Sequence, residues 1–300
     1  MKKYWVIGMV LLLLTVTVAC QSSDRGIGEV TDIMGRKVTI SKTPEKIVSL
    51  APSATEILFA LGLGDRVVGV DAYSDYPPEA QDIERIGDFD GPNIEKILDL
   101  KPDLVIAGNK LQEKTIQQLE DLKVPTVAVE ASIFDNIYGS IQLVGKITGA
   151  EDKVQELVDS MTKRVEDIKE KVKDAEKPTV YYVMSYGDMG NWTSGPGSFI
   201  NDLMEMAGGD CITKDGGAPW MDYSLETLIE RDPDILIVSS DMGTEANLEG
   251  LKNANGYKDL TAVKEGRVYV VESGLVTRPG PRIVDGLETI AKILHPDLIK

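Results

Sequence analysis

Two stretches of this chain repeat one pattern. NIEKILDLKPDLVI (93–106) and SLETLIERDPDILIV (224–238) each run from a helix-capping residue, Asn93 or Ser224, through a short amphipathic segment to Pro-Asp, and then into an apolar β-rich run. A cap, a helical stripe, a Pro break and a buried strand in that order make a helix-to-strand unit. Its recurrence requires two similar lobes. Both copies also keep an acid two places after the cap, Glu95 and Glu226, and an acid after the proline, Pro102-Asp103 and Pro233-Asp234.

The segments around each copy alternate in the same way. In the first half, VTDIMGRKVTI predicts a hairpin turning at Gly35 and ended by Pro44. Strand KIVSLA and helix PSATEILFALG follow, with Ser53 and Glu56 read as an S-x-x-E capping box and Gly62 as the helix end. Then come strand RVVGV, a long loop, the first repeat, helix EKTIQQLEDL and strand PTVAVEA. In the second half, strand VYYVMS, a Gly-rich loop and helix SFINDLMEMAGG precede the second repeat, and a short helix around Gly256 to Val263 leads to strand GRVYVVES. Strands alternating with helices predict parallel sheets covered on both faces. Between the halves, Val154, Leu157, Val158, Met161, Val165, Ile168 and Val172 lie on one face of a helix over 151–174. Such a helix spans about 36 Å and acts as a stiff strut. The expected fold is therefore α/β, with two lobes, each a mainly parallel sheet flanked by helices, joined by one long rigid helix that leaves a cleft between them.

The N-terminus, MKKYWVIGMVLLLLTVTVAC, places two lysines before an apolar run, the layout of an export signal. Small residues leading into Cys20 resemble the lipobox of bacterial lipoproteins, with Thr17 where leucine is usual. The expected organisation is a signal peptide over 1–19, a lipidated tether over 20–28, an N-terminal lobe over 29–150, a linking helix over 151–175 and a C-terminal lobe over 176–300. Cys20 and Cys211 are the only cysteines, so lipid on Cys20 leaves no disulfide, and Cys211 reads as a buried small hydrophobe. The formal net charge is −17 at pH 7, and two units more negative once Lys2 and Lys3 leave with the leader. That balance disfavours nucleic acid and anionic headgroups as partners. Membrane contact is expected through the lipid alone, outside the cytoplasm.

Catalytic signatures are missing from the sequence. The single histidine, His295, sits at a C-terminal helix and is expected to cap or decorate it; no zinc or iron ligand set, G-x-S-x-G or Walker loop is present. No catalytic residue, metal or cofactor is expected. A carboxylate pair hidden among the many acids is the remaining route to a secreted hydrolase. Recognition is written elsewhere: Trp192 and Trp220, the two indoles outside the leader, lie in GDMGNWTSGPGS and KDGGAPWMDYS, which read as Gly/Pro loops. A large ring on a loop beside a cleft favours ligand contact over loop packing. Tyr73 and Phe89, in the long loop of the first lobe, face the same choice, whereas Tyr76 before Pro77 and Pro78 reads as a turn anchor.

Taken together, the lipobox, the hairpin, KIVSLAPSATEILFALG, NIEKILDLKPDLVI, WTSGPGSFINDLMEMAGG and RPGPRIVDGLE resemble the helical-backbone class of substrate-binding lipoproteins that feed ABC importers for cobalamin, ferric siderophores and haem. The resemblance covers essentially all of 29–300. It implies a non-enzymatic, monomeric binding protein that holds its ligand between two lobes and docks on a permease through one glutamate per lobe, here Glu95 and Glu226, paired with permease arginines. YSDYPPEAQ and APW are most similar to cobalamin-binding members, which implies a corrinoid ligand and carries cleft roles to Tyr73, Phe89, Trp220, Trp192 and Arg278. Two positions depart from those members: Phe89 and Gly108 stand where they carry tryptophans, implying a pocket that is roomier or tuned to a different corrinoid. A siderophore site would want several cations, and Arg278, Arg282 and Lys110 are the candidates. Haem would prefer an axial His or Tyr, for which Tyr73 or Tyr186 is available.

Overall fold

The computed structural model describes residues 26–299. The expected leader, Cys20 and most of the tether lie outside that range. A hairpin opens the described chain, β1 (Gly28–Thr31) pairing antiparallel with β2 (Lys37–Ile40), and Gly35 takes the positive φ that the turn requires. The N-terminal lobe continues as β3 (Ile47–Ser49), α1 (Pro52–Ala60), β4 (Val67–Val70), α2 (Ile94–Asp99), β5 (Leu104–Ala107), α3 (Glu113–Asp121), β6 (Thr126–Ala128) and α4 (Asp135–Thr148). Its four strands form a parallel sheet in the order β4-β3-β5-β6.

Helix α5 (Glu151–Val172) then leads into the C-terminal lobe. That lobe comprises β7 (Thr179–Val183), β8 (Trp192–Ser194), α6 (Phe199–Met206), β9 (Asp210–Cys211), β10 (Trp220–Asp222), α7 (Leu225–Arg231), β11 (Ile235–Ser239), α8 (Glu245–Asn253), α9 (Thr261–Lys264), β12 (Val268–Val271), α10 (Ser273–Thr277) and α11 (Ile283–Leu294). Its sheet is also parallel, β12-β11-β7-β9, and a separate antiparallel ribbon joins β8 to β10. The two-lobe α/β architecture expected from the repeat is the observed one.

The apolar stripe of α5 explains how the lobes are joined. Met161, Val165, Ile168 and Val172 are buried, and Val154, Leu157 and Val158 are partly buried. The helix touches α4 of the first lobe and α6 and α11 of the second. One apolar cluster therefore runs from Ile47 and Leu104 through Met161 and Val165 to Ile237 and Leu287, while the far face of each sheet has its own cluster. Each fully buried stripe residue contributes about 1.5–3 kcal/mol. Close approach of α4 needs Gly145, where an added Cβ would sit 2.1 Å from a Val154 methyl.

The repeated Pro-Asp has a structural role. Asp103 Oδ2 accepts from the Glu45 and Lys46 amides at 3.0 and 3.2 Å, just ahead of β3, and Lys42 pairs with Oδ1 at 2.6 Å. In the other lobe Asp234 Oδ2 accepts from the Thr179 amide at 2.8 Å and its hydroxyl at 2.7 Å, at the start of β7. Each acid thus ties the start of one strand to the start of its neighbour. Burial pushes the Asp103 carboxyl up, but Lys42 and the two amides hold it below the usual range; at Asp234 the Thr179 hydrogen bonds do the same.

Several local expectations are corrected. Helix α1 starts at Pro52 behind Ala51 with no side-chain cap, so Ser53 and Glu56 form no capping box; both are buried and bond elsewhere. Trp192 and Trp220 lie on the paired strands β8 and β10, not on loops. Helix α4, whose apolar stripe is diluted by Gly139 and Gly145, and the two-residue β9 are additions. His295 forms the C-cap of α11 as expected, and is buried with its ring Nε2 3.3 Å from the Gly208 carbonyl. Cys211 is a free, fully buried thiol, pushed up in pKa by that burial.

Candidate functional site

In a parallel sheet the crevice outside the carboxyl ends of the strands is where ligands bind, and here two such edges face one cavity. It has a volume of about 600 Å³. From the first lobe come Tyr73 after β4, Pro52 after β3 and Glu130 after β6, with Asp75 and Phe89 from the long loop; from the second come Ser240 and Asp241 after β11 and Glu272, Ser273 and Arg278 after β12.

The first-lobe wall is held by polar groups beneath it. Asp71 is fully buried; its Oδ1 accepts from the Tyr73 amide at 2.8 Å and its Oδ2 from the Ser74 hydroxyl at 2.5 Å. The Ser74 and Thr55 hydroxyls bond at 2.8 Å, and Arg85 donates to the Asp71 and Ser74 carbonyls at 2.9 and 2.7 Å. This fixes the backbone that carries Tyr73, whose side chain is left 57% exposed. Burial pushes the Asp71 carboxyl up, against the pull of these bonds and of Arg278 and Arg85.

Phe89 is positioned by Gln112, which sequence reasoning missed. Its amide Nε2 donates to the Leu50 and Phe89 carbonyls at 2.8 and 2.5 Å, and its Oε1 accepts from the Gly108 amide at 2.7 Å. A Cβ on Gly108 would stand 2.9 Å from the Phe89 ring and 3.0 Å from Glu130 Oε2. The residues at 89 and 108 are therefore coupled, and the ring of Phe89 fills the space that a side chain at 108 would take. Beside it, Glu130 Oε1 accepts from the Ser53 hydroxyl at 3.0 Å and Oε2 from Asn109 Nδ2 at 2.5 Å. Burial raises its pKa against those two bonds, and the nearby Asp71 adds to the rise.

Arg278 lines the cavity but already carries ion pairs across the lobes, to Asp75 at 2.5 Å and Glu56 at 3.6 Å. Arg282 holds Glu56 through two bonds, 2.7 and 3.1 Å, reaches Glu272 at 3.2 Å, and lies 3.7 Å over the ring of Tyr76. Glu56 is therefore a bridge between lobes. Arg282 lines a neighbouring hollow with Tyr76 and Glu56 rather than this cavity, and Lys110 is exposed outside it.

Trp192 and Trp220 sit beyond β7 on the ribbon. The register pairs Trp220 with Ser194 and Trp192 with Asp222, which puts both indoles on one face as diagonal neighbours. They are 43% and 38% exposed, and Trp220 meets Phe199 edge-on at 6.3 Å. Neither is among the residues lining the interlobe cavity. Tyr186 is in a separate hollow with Met189 and Met242, where its hydroxyl donates to the Asn247 carbonyl at 2.7 Å and its ring meets Tyr257 edge-on.

Glu95 and Glu226 fall at equivalent places. Asn93 and Ser224 cap their helices by accepting from the Lys96 and Thr227 amides, and both glutamates are exposed without an ion pair among the described residues. Since α2 and α7 each lead into a parallel strand, they start at the carboxyl edge of their sheets. Neither acid lines the cavity.

Comparison with known proteins places this geometry. A model for a family described as periplasmic binding protein matches residues 47–275. The chain is 37% identical over 279 residues to an uncharacterized ABC transporter substrate-binding lipoprotein, YvrC, of Bacillus subtilis, covering 90% of this chain and 86% of that one. A possible iron-binding periplasmic solute-binding protein of Staphylococcus epidermidis superposes with a TM-score of 0.75 at 32% identity, over 85% of this chain and 100% of the other. The periplasmic vitamin B12 binding protein BtuF of Vibrio cholerae superposes with a TM-score of 0.70 at 28% identity, over 84% and 97%.

Proposed function

The chain belongs to the periplasmic binding protein family, as a substrate-binding protein of an ABC transporter working outside the cytoplasm, and from that premise we propose that it captures cobalamin or a related corrinoid between its lobes and delivers it to the permease. The observation that carries the ligand assignment is the aromatic wall: Tyr73 and Phe89, whose backbones are each pinned by a part-buried hydrogen bond, line the cavity opposite residues of the second lobe. A broad, flat macrocycle fits such a wall, because fixed rings bury apolar area without losing much side-chain freedom on binding. The likeness to a vitamin B12 binding protein supports the same class. Release then requires the permease to part the lobes, with Glu95 and Glu226 as the docking points.

The test is fluorescence. Trp192 and Trp220 are the only indoles outside the leader, and a coloured corrinoid in the cleft accepts their excitation. Titrating cyanocobalamin into the protein is expected to quench emission saturably, and Tyr73→Ala, which removes an exposed ring from the cavity wall, to weaken binding without unfolding the lobe. Unchanged emission at saturating cyanocobalamin would reject the assignment. It would favour a ferric siderophore or haem, to which the exposed phenol of Tyr73 offers an iron ligand; the likeness to a possible iron-binding protein supports that alternative.

The protein is held at the membrane by lipid on Cys20 and acts as a monomer with no catalytic residue. Among the described residues no helix is long and apolar enough to cross a membrane. Mass spectrometry of the mature protein is expected to find its first residue at Cys20 with lipid attached, and Cys20→Ser to release it from the membrane fraction. A mature chain that starts elsewhere, or a Cys20→Ser protein retained like wild type, would overturn the anchor.

A further inference from the structure

When the charges around the cleft are paired off, two carboxylates remain. Arg278 is engaged by Asp75 and Glu56, and the neighbouring Arg282 by Glu56 and Glu272. Among the described residues Arg278 is the one cation on the cavity wall. Glu130 on the first-lobe wall and Asp241 on the second have only neutral partners: Ser53 and Asn109 for Glu130, and the Ser273 and Ser239 hydroxyls for Asp241. Both oxygens of Glu130 accept a hydrogen bond, which opposes the rise that burial and Asp71 give this carboxyl. A carboxylate offers about four acceptor positions, so further N–H donors can still be received. With no side chain on Gly108, nothing at that position screens Glu130 from the ring of Phe89.

We propose that Glu130 and Asp241 form a charge filter: the ligand of this cleft carries no net negative charge and offers N–H donors, such as carboxamides, to the first-lobe wall. The inference rests on reading the cleft as the ligand site and narrows what enters it. An anion in the cavity would meet a carboxylate on each wall, Glu130 partly buried and Asp241 exposed, and among the described residues no unengaged cation. A carboxamide or a cation meets the same groups as charged acceptors, which bind donors more strongly than neutral ones.

The experiment is a calorimetric titration of the protein at low ionic strength, where charge effects are least screened. Four probes are used: cyanocobalamin, a cationic ferric trihydroxamate, ferric protoporphyrin with its two propionates, and a trianionic ferric tricatecholate. Binding of cyanocobalamin or the trihydroxamate at least tenfold tighter than either anion is expected. Glu130→Gln and Asp241→Asn, which keep the shape and one acceptor oxygen while removing the charge, should each raise the affinity of the anions relative to the best of the other probes by roughly tenfold, since like charges juxtaposed at an interface are strongly unfavourable. An anion that binds wild type as tightly as the better of the other two overturns the filter, and so does a ratio unmoved in both variants. If the trihydroxamate binds and cyanocobalamin does not, the corrinoid assignment falls and the filter stands. Failure of all four probes overturns both.

Discussion

Arg282→Met is expected to destabilise the protein by about 3 kcal/mol at pH 8 and by much less at pH 4. Arg282 supplies two of the bonds to Glu56, whose side chain is only 2% exposed. Methionine fills the volume of the arginine stem and removes the charge, which strands a buried carboxylate; breaking a buried pair in this way typically costs about 3–5 kcal/mol. Arg278, 3.6 Å away, remains and places the cost at the low end. The pH dependence follows from linkage. Burial already raises the pKa of Glu56 in the wild type, against the pull of Arg282 and Arg278, and the substitution removes the stronger of those two opposing partners. A carboxyl whose folded pKa lies above its unfolded value binds its proton preferentially in the folded state, so its stabilising contribution is complete below the unfolded pKa and lost as pH rises through the folded one. Urea unfolding at both pH values measures the difference. Adding Glu56→Gln to Arg282→Met should recover most of the loss at pH 8, because the stranded charge is then gone. A loss independent of pH, or no recovery in the double variant, would show that Arg282 acts through packing over Tyr76 instead.

That pair also marks where sequence reasoning stops. Ser53 and Glu56 have capping-box spacing, yet the helix begins two residues earlier than the box requires, and the partner of Glu56 lies 226 positions away. Nothing local encodes such a contact. Trp192 and Trp220 were hidden for a similar reason: glycines and prolines around them signal loops, while three-residue strands become strands only through each other. Gln112 sits among other polar residues just ahead of α3, and its role as the clamp of the Phe89 loop depends on two distant carbonyls. By contrast, the parallel strands are apolar runs bounded by turn residues, and α5 shows its stripe over about five turns, so pattern alone located them. The doubled unit disclosed the two lobes. It did not disclose that Asp103 and Asp234 bind neighbouring strand starts, a role that accounts for the repeated Pro-Asp and leaves the repeated glutamates as the part of the pattern without an ion-pair partner among the described residues.

Glu95→Ala with Glu226→Ala should abolish uptake while leaving ligand affinity where it was. Both carboxylates are exposed, pair with no cation among the described residues, and stand off the cavity wall, so neither removal touches the cleft. Their helices keep the Asn93 and Ser224 caps. The fold therefore loses no more than the favourable interaction of an acid with a helix N-terminus, about 0.3–1 kcal/mol each. Docking is different in scale. A carboxylate that meets a permease arginine is desolvated with it, and truncating one member of such a pair costs about 2–5 kcal/mol, because the other charge is left buried and alone. Two such losses are enough to remove productive docking at any ordinary protein concentration. Reversal to lysine at either site should be worse than alanine, since it sets like charges face to face. The measurement is paired: ligand titration of the purified double variant, and ligand uptake by cells that carry it in place of wild type. Uptake at the wild-type rate would reduce Glu95 and Glu226 to helix-start acids kept by both lobes. A fall in ligand affinity would place them in the binding machinery instead, and either result removes them from the docking surface.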